Sequence, residues 1–339
     1  MSKCDPDARP VGQLTAHRYE SDALSASEKG ASVRYIFRAV FTTCLLLMLH
    51  PPRAGELSAI ESQEGARVIE LIPYLGVQWA FRARAGDQEG LFLFDTGGGT
   101  TIVSPKTAAL VGCKPWGQLT GFRMRGQRLA VPRCDDFRLS VSGLAISAPT
   151  AGVFDLMAEP PPGSPELMGS VALDAFAGRA ITLDIAHQQL IVESPKSLQV
   201  RVRKSREVAV RYGREVEGLA LSPFVGVQTK SGVLWMEVDS GSDAPSTMGR
   251  HVAALLGLDP STKAGQDISA RLIGGVALRG RTHVSDLIYD GNIGAPTLSN
   301  WIVTFDLGGE RMWIDDGSES LPAWPGSEAA GPLVTPPNH

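Results

Sequence analysis

Two aspartates in matching contexts are the residues of this sequence best suited to chemistry. Asp95 begins an Asp-Thr-Gly triplet and Asp239 begins an Asp-Ser-Gly triplet, and each triplet follows an apolar run. Two carboxyl groups held in contact cannot both ionise easily, so they share one proton. The charged member can take a proton from water while the protonated member polarises a carbonyl group. The sequence therefore predicts an acid–base pair that activates water.

The segments around the two triplets also repeat along the chain. The two aspartates are 144 positions apart, and three further sets of segments match in the same order. Matched segments in one order indicate two copies of one structural unit. The matched segments are Pro73–Gln78 with Pro223–Gln228, Ala108–Gly112 with Ala253–Gly257, and Gly169–Ala172 plus Thr182–Asp184 with Gly291–Gly294 plus Thr304–Asp306.

Length and composition fit a soluble globular protein with two domains. The chain has 339 residues, of which 43% are hydrophobic and 20% charged, which is enough for two cores. Its formal net charge of −4 disfavours nucleic-acid binding, since proteins that bind nucleic acids are usually basic. The 37 Gly and 23 Pro predict many turns between short strands. We therefore expect a turn-rich protein without a nucleic-acid partner.

The beginning of the chain has the pattern of an export signal. Residues 1–32 are polar without apolar periodicity, which predicts a disordered leader. Residues 33–54 combine a basic flank, a short apolar run and a Pro-Pro-Arg-Ala end, as in a secretory signal peptide. The run is short for a membrane span, although a buried core helix and an uncleaved leader that tethers the protein remain alternatives. The prediction is an exported protein, periplasmic or secreted, with no stable span after removal of the leader.

Two cysteines, Cys113 and Cys134, lie downstream of the predicted leader. A pair of cysteines in an exported chain favours a disulfide, because such bonds persist in oxidising compartments. Two reduced, buried thiols are the alternative.

Apolar patterns and turn residues predict β-rich units on both sides of a linker. In the first unit, 66–195, apolar runs predict strands ahead of Asp95, and Thr107–Gly112 predicts a short helix that ends at glycine. The Gly-containing stretch Gly121–Gln127 suits a hairpin over a cleft. The second unit covers 205–316.

Two further segments are expected to lie outside these units. The basic residues between 194 and 206 are typical of a linker with a solvated strand face. The stretch 317–339 is rich in Pro, Gly and Ser, which predicts a flexible tail.

Taken together, these features resemble the pepsin and retropepsin aspartic peptidases, in the bilobal arrangement of bacterial exported members. The resemblance covers roughly residues 66–315 and is carried by the two triplets, by the later Gly-ending segment at 291–294 and by the hairpin at 305–311. It implies an all-β, pepsin-like acid protease fold. Two β-barrel-like lobes would be related by a pseudo-twofold axis, with the active-site cleft between them.

The resemblance also implies an activity and a set of site residues. Asp95 and Asp239 would be the water-activating dyad of an aspartic endopeptidase, and Phe122 is the candidate residue of a flap over the cleft. The resemblance implies a peptide or polypeptide substrate, a monomer, and no metal or organic cofactor. The residues expected to support the active-site loops are Thr96, Gly97, Ser240, Gly241 and Ser242, with the hydroxyls of Thr96 and Ser240 joining the loops.

Four features depart from the family pattern. Gly98 stands where the family has Ser or Thr, Ala172 stands where it has Gly, and Pro245 replaces the usual continuation of the second triplet. There is also no Tyr between 112 and 150 to serve as the flap tyrosine. An alternative function is therefore an inactive pepsin-fold protein that binds a peptide or a protein partner in its cleft. Retention of both aspartates favours the peptidase, since a binding protein has little need for two adjacent buried carboxylates.

Overall fold

Residues 65–158 and 160–317 are described by a computed structural model. The predicted disordered leader (1–32), the predicted signal peptide (33–54) and the predicted tail beyond Gly317 lie outside these residues. No helix within the described ranges is both long enough and apolar enough to cross a membrane. The helices are α1 (Pro105–Leu110), α2 (Pro195–Val202) and α3 (Ala295–Leu298), with 3-10 turns at Leu156–Ala158, Leu173–Phe176 and Ala253–Leu256. The strands are β1 (Arg67–Glu70), β2 (Ile72–Tyr74), β3 (Gln78–Ala85), β4 (Gln88–Phe94), β5 (Ile102–Val103), β6 (Trp116–Phe122), β7 (Arg128–Val141), β8 (Leu144–Val153), β9 (Leu167–Val171), β10 (Ala180–Asp184), β11 (Gln189–Glu193), β12 (Arg206–Val208), β13 (Val210–Gly213), β14 (Ser222–Thr229), β15 (Gly232–Asp239), β16 (Ser246–Gly249), β17 (Gln266–Arg271), β18 (Ala277–Ser285), β19 (Gly291–Gly294), β20 (Ile302–Asp306) and β21 (Arg311–Asp315).

The strands of the described residues form three sheets. The first has eight strands in the order β2-β3-β4-β9-β5-β8-β7-β6, and an additional pairing of β3 with β7 bends it toward a barrel. The second has seven strands in the order β13-β14-β15-β19-β16-β18-β17. The third, β1-β11-β10-β20-β21-β12, takes strands from both halves of the chain. Two β-rich lobes therefore share one sheet.

Strand pairing repeats between the first and second sheets. In the hairpin that leads to the first triplet, Arg82 lies opposite Leu91, and in the hairpin that leads to the second triplet, Gly226 lies opposite Trp235. Both members of the pair are displaced by 144 positions, as the two aspartates are. β4 then pairs in parallel with β9, as β15 does with β19. The duplication predicted from sequence is thus also present in the hydrogen-bonding pattern.

One predicted match is wrong: the segments Pro73–Gln78 and Pro223–Gln228 are not structurally equivalent. Pro73 lies in β2 whereas Pro223 lies in β14, and the pairing of β14 with β15 gives it the place of β3. The two segments share a Pro-aromatic-aliphatic-Gly sequence. Such a local match does not specify which neighbouring strand takes the hydrogen bonds, because register depends on the whole hydrophobic pattern.

The approximate twofold axis passes through the shared sheet. β10 pairs antiparallel with β20, and Thr182 lies directly opposite Thr304 with their hydroxyl oxygens 3.0 Å apart. These two threonines occupy matching positions in the sequence repeat. Matching residues that face each other are what a twofold relation between the lobes requires.

Buried aromatic rings anchor the first triplet. Phe94 is buried at the end of β4, immediately before Asp95, and its ring packs edge-on against Phe176 with ring centroids 6.1 Å apart. The backbone N–H of Asp95 donates to the carbonyl of Val171, the last residue of β9, at 3.0 Å. The position of the first aspartate is therefore fixed by packing on one side and by a parallel neighbour strand on the other.

The predicted linker contains a helix, which corrects the expectation of a solvated strand face. Ser194 caps α2 by accepting a hydrogen bond from a backbone N–H of the first turn, and Pro195 begins the helix. Arg201, one of the clustered basic residues, is buried and forms an ion pair with Glu193 at 3.2 Å. The Ser-Pro start signal was present in the sequence. The lobe limits 66–195 and 205–316 stay a prediction.

Cys113 and Cys134 form the predicted disulfide, with Cα atoms 6.0 Å apart. Cys134 lies in β7, and Cys113 follows α1 and precedes β6. The bond therefore fastens the base of the β6–β7 hairpin.

Replacing both cysteines with Ser is expected to lower the free energy of unfolding by about 3 kcal/mol, because the 21-residue loop regains freedom in the unfolded chain. Denaturant unfolding of the full chain, with and without reductant, measures this change. Reduced parent should match the double variant. An unchanged midpoint in both would contradict a stabilising role for the bond.

Candidate active site

The two triplet loops face each other across the approximate axis. The carboxyl groups of Asp95 and Asp239 are hydrogen-bonded to each other. A Cβ added to Gly97 would lie 2.5 Å from Asp239 Cγ, and one added to Gly241 would lie 2.6 Å from Asp95 Cγ. Each glycine therefore lets the backbone approach the opposite carboxyl group, and no larger residue fits without displacing it. The structure brings together the two aspartates predicted from the sequence.

A reciprocal set of buried hydrogen bonds joins the two loops. The backbone N–H of Thr96 donates to Ser240 Oγ, and the backbone N–H of Ser240 donates to Thr96 Oγ1, both at 3.0 Å. Thr96 Oγ1 in turn donates to the carbonyl of Val238 at 2.7 Å, and Ser240 Oγ donates to the carbonyl of Phe94 at 2.9 Å. Since all four groups are buried, breaking one bond would leave a donor and an acceptor unpaired. These hydrogen bonds therefore fix the position of one triplet loop relative to the other.

The environment of the pair keeps a proton on it near neutral pH. Burial raises the pKa of Asp95, and the adjacent Asp239 raises it further, to about 8. Backbone N–H groups of Gly97 and Gly241 donate to Asp95 Oδ1 and Asp239 Oδ1 at 3.0 and 2.9 Å. Burial also raises the pKa of Asp239, but the Asn292 amide, which donates to its Oδ2 at 2.7 Å, lowers it. The additional donor favours the carboxylate form of Asp239.

Three polar side chains beside the pair were not predicted from the sequence. Glu237 is two residues before Asp239 on β15, and Asn292 lies opposite Glu237 on β19. Asn292 Nδ2 donates to both acids, and the Tyr289 hydroxyl donates to Glu237 Oε2. Burial raises the pKa of Glu237 well above its ordinary value, and Asp239 adds to the rise. The signal in the sequence was a Glu inside an otherwise apolar run.

No group of three His, Cys, Asp or Glu side chains among residues 65–158 and 160–317 is arranged to hold a metal ion.

Gly98 and Ser242 occupy matching positions after the two triplets. Both residues contribute their backbone N–H groups, which lower the pKa of Asp95 and of Asp239 respectively. A Cβ added to Gly98 would lie 3.1 Å from Asp95 Oδ2, which is a tight fit. Each of these N–H groups donates to the backbone carbonyl of its aspartate at 3.3 Å, so the backbone contacts at the two positions match.

Two of the other departures, Ala172 and Pro245, lie at matching places beside the two loops. A Cβ on Gly294 would collide with the carbonyl oxygen of Ala244, whereas Ala172 has extended backbone and room for its methyl group. The N–H of Ala172 donates to Thr101 Oγ1 at 3.2 Å. At the matching place in the second lobe, the carbonyl of Pro245 accepts from the N–H of Gly294 at 3.1 Å. The two lobes support their loops with different groups.

Asp174 is a further buried acid that was not predicted from the sequence. Its carboxylate accepts hydrogen bonds from Thr101 Oγ1 at 2.6 Å and from the backbone N–H of Thr101 at 3.0 Å. Burial raises the pKa of Asp174 to about 6 in spite of these donors. It braces the segment that follows the first triplet.

The β6–β7 hairpin reaches from the first lobe to the second. The backbone N–H of Ile288 donates to the carbonyl of Met124, in the hairpin turn, at 3.0 Å. Arg133 on β7 lies 3.4 Å from Glu217. Phe122, the candidate flap residue, ends β6 and is 63% exposed. The hairpin therefore spans the two lobes, with the Phe122 ring largely in solvent.

No family model matches the chain, and no curated protein matches its sequence. Among solved structures it is similar to basic 7S globulin from soybean, with 9% identity and a TM-score of 0.50. The alignment covers 74% of this chain and 95% of the soybean chain. It is also similar to conglutin gamma, a basic 7S globulin from lupine seeds, with 9% identity, a TM-score of 0.48 and the same coverages.

A structural similarity at 9% sequence identity is evidence for a shared fold and not for a shared function. The chain has an all-β, pepsin-like fold with two β-barrel-like lobes, and the fold class predicted from the sequence is confirmed. Neither of these similar proteins is named as a peptidase, so the similarity carries no conclusion about catalysis.

Proposed function

We propose that this protein is an aspartic endopeptidase that hydrolyses peptide bonds with a water molecule activated between Asp95 and Asp239. The observation that carries the proposal is the hydrogen-bonded carboxyl pair whose surroundings keep one proton on it. A protein with a purely structural use for this site would have little reason to hold two buried acids in contact.

The asymmetry of the pair supports a division of the two roles. Asp239 takes a proton from water as the water oxygen attacks the carbonyl carbon, and Asp95 gives its proton to the carbonyl oxygen. The resulting tetrahedral diol returns one proton to Asp95 as the C–N bond breaks, and Asp239 passes its proton to the leaving nitrogen. The pair ends with one proton, as it began. The reaction needs only the substrate, water and this pair.

Cleavage is expected to extend from acid to neutral pH and to fall as the pH rises through about 8, because Asp95 then loses the proton that it must donate. The dependence of kcat/KM on pH measures this limit. Activity confined to pH values below about 4, where carboxyl groups with ordinary pKa values titrate, would contradict the raised pKa of Asp95.

The disulfide supports an exported location, periplasmic or secreted, since disulfides persist in oxidising compartments. A peptide or polypeptide substrate and a monomeric enzyme belong to the same proposal.

Binding of a peptide or protein without cleavage is the second candidate function. Gly98 favours it, because this residue supplies no hydroxyl to Asp95.

Digestion of a mixed peptide library distinguishes the two functions. The full chain, the Asp95→Asn variant and an Asp87→Asn control are incubated with the library from acid to neutral pH, and new termini are mapped by mass spectrometry. Asp87 lies in an exposed turn, so its variant repeats the chemical change away from the site. Cuts by parent and control but not by Asp95→Asn would support the peptidase. A folded parent that makes no cuts at any pH would favour the binding function.

A further inference from the structure

A third buried carboxyl group, that of Glu237, lies beside the aspartate pair and has no role in the reaction proposed for it. Glu237 is 4% exposed. It is two residues before Asp239 on the same strand, so both side chains lie on one face of the sheet. A buried acid without an assigned function requires an explanation, because burying a charge is unfavourable unless the charge is compensated.

The side-chain amide of Asn292 connects Glu237 to the pair. Its Nδ2 donates to Asp239 Oδ2 at 2.7 Å and to Glu237 Oε2 at 3.1 Å. Its Oδ1 is buried and has no hydrogen-bond partner among the described residues. If the amide were turned over, Oδ1 would face the Asp239 carboxylate and repel it. The orientation of this amide therefore decides whether Asp239 gains or loses a donor.

A protonated Glu237 can both accept a hydrogen bond from the N–H group of the Asn292 amide and donate one to its oxygen. A carboxylate only accepts hydrogen bonds, whereas a carboxylic acid can accept from the amide N–H through one oxygen and donate its proton through the other. We place that proton between Glu237 and Asn292 Oδ1, which has no donor among the described residues. The Tyr289 hydroxyl donates to Glu237 Oε2 as well, which fixes this oxygen as the acceptor and leaves the other to carry the proton.

The groups that act on Glu237 favour this uncharged form. Burial raises the pKa of Glu237, and the nearby charge of Asp239 raises it further, with a smaller rise from Asp95. The hydrogen bonds from Tyr289 and Asn292 act in the opposite direction, but the pKa remains well above its ordinary value.

The next strand, β14, places the uncharged Phe224 opposite Glu237 in the sheet. The ring of Phe224 packs edge-on against Tyr289, with centroids 5.5 Å apart. The residue opposite Glu237 on this strand therefore adds no charge beside it.

The first lobe has no such arrangement, which makes the site asymmetric. In the matching register, Leu93 lies opposite Ser170 on β4 and β9, where the second lobe has Glu237 opposite Asn292. Asp95 thus lacks the side-chain donor that Asp239 has.

We infer that Glu237 is a positioning residue that fixes the Asn292 amide and thereby makes Asp239 the carboxylate and Asp95 the acid of the pair. The assignment of reaction roles rests on the proposed function, whereas the state of the three acids does not.

Two substitutions of Glu237 separate its hydrogen bonds from its charge. Glu237→Gln imitates the uncharged acid, because its amide can also donate to Asn292 and accept from it. Glu237→Leu introduces the residue of the first lobe and releases the Asn292 amide. We expect the acid limb of the kcat/KM profile to move to higher pH by about one unit in Glu237→Leu, since Asp239 loses its side-chain donor. The profile of Glu237→Gln should coincide with that of the parent.

A merely structural role would lower activity in Glu237→Leu without moving the acid limb, and that result would overturn the inference. An equal displacement in Glu237→Gln would overturn it as well, because the charge of Glu237 would then be the cause.

Infrared spectroscopy of the full chain at about pH 7 tests the same inference without activity. Ordinary carboxyl groups are ionised at this pH. The carbonyl-stretch band of protonated acids should therefore lose one contribution in Glu237→Gln and a different one in Asp95→Asn. An unchanged band in Glu237→Gln would overturn the inference.

The two tests also separate this inference from the proposed function. A parent that cleaves nothing would contradict peptide hydrolysis, and the infrared band would then decide the state of Glu237 alone.

Discussion

Replacing Asp95 with Asn is expected to abolish peptide cleavage and at the same time to stabilise the protein at neutral pH. Asn cannot transfer a proton to the substrate carbonyl, and loss of general acid catalysis of this kind lowers rates by about 10²–10⁴-fold. The amide is otherwise close in shape to the protonated carboxyl group. The fold should therefore be retained while the chemistry is lost.

The stability effect follows from the direction of the pKa change. The pKa of Asp95 is about 8 in the folded protein, against the ordinary value of 3.8 expected in the unfolded chain. Between these values the folded state holds more protons, so the stability of the parent falls as pH rises from about 4 to about 8. Asp95→Asn lacks this loss. We expect it to be more stable than the parent by on the order of 1–3 kcal/mol at neutral pH, and by less near pH 4.

Thermal melts of parent, Asp95→Asn and Asp87→Asn across this pH range provide the measurement. For a protein of this size about 1 kcal/mol corresponds to about 2–4 °C in Tm. Parallel curves for parent and Asp95→Asn would show that Asp95 titrates normally, which would remove the basis for the assignment of its proton. Retained cleavage by Asp95→Asn would remove Asp95 from the mechanism.

The sequence carried the information about the pair because duplication is a long-range signal. The spacing of Asp95 and Asp239 relates the two copies, and a twofold relation places matching loops opposite each other without any knowledge of packing. The hydroxyls of Thr96 and Ser240 follow for the same reason. The matched threonines Thr182 and Thr304 meet across the shared sheet in the same way.

The contact of Glu237 with the pair could not be predicted from the sequence, because strand register decides which residues lie beside it. Glu237 within an apolar run has no visible partner until β15 is paired in parallel with β19, which places Asn292 opposite it. The pairing joins residues 55 positions apart in the chain. Similarly, Pro73 and Pro223 match in sequence but lie in non-equivalent strands, since a six-residue resemblance contains no information about partners. Local signals were sufficient only where the structure is local, as for the short helix predicted at Thr107–Gly112, which the structure has as α1 (Pro105–Leu110).

Replacing Gly97 with Ala is expected to disable the site through a single methyl group. The added Cβ would lie 2.5 Å from Asp239 Cγ and 2.6 Å from Asp239 Oδ1, distances at which one of the groups must move. The Asp239 carboxyl group has no free space, because Asp95, the N–H of Gly241 and the amide of Asn292 all bond to it. Relief therefore requires either breaking these bonds or separating the loops. We expect a loss of about 1–3 kcal/mol of stability, as for other overpacked sites, together with a loss of cleavage.

A graded set of Gly→Ala variants distinguishes this collision from a general effect of the added methyl group. At Gly98 the nearest atom, Asp95 Oδ2, would be 3.1 Å from the new Cβ, and at Gly121 the nearest atom, Val216 Cγ2, would be 3.7 Å away. None of the three glycines has a positive φ, so backbone strain does not differ among them. Unfolding midpoints and kcat/KM should both decline in the order Gly121→Ala, Gly98→Ala, Gly97→Ala. If Gly97→Ala cleaved peptides as fast as the parent, the two loops would have free space for a methyl group at their closest approach. The close contact between the two carboxyl groups, on which the shared proton depends, could then not be a fixed feature of the site.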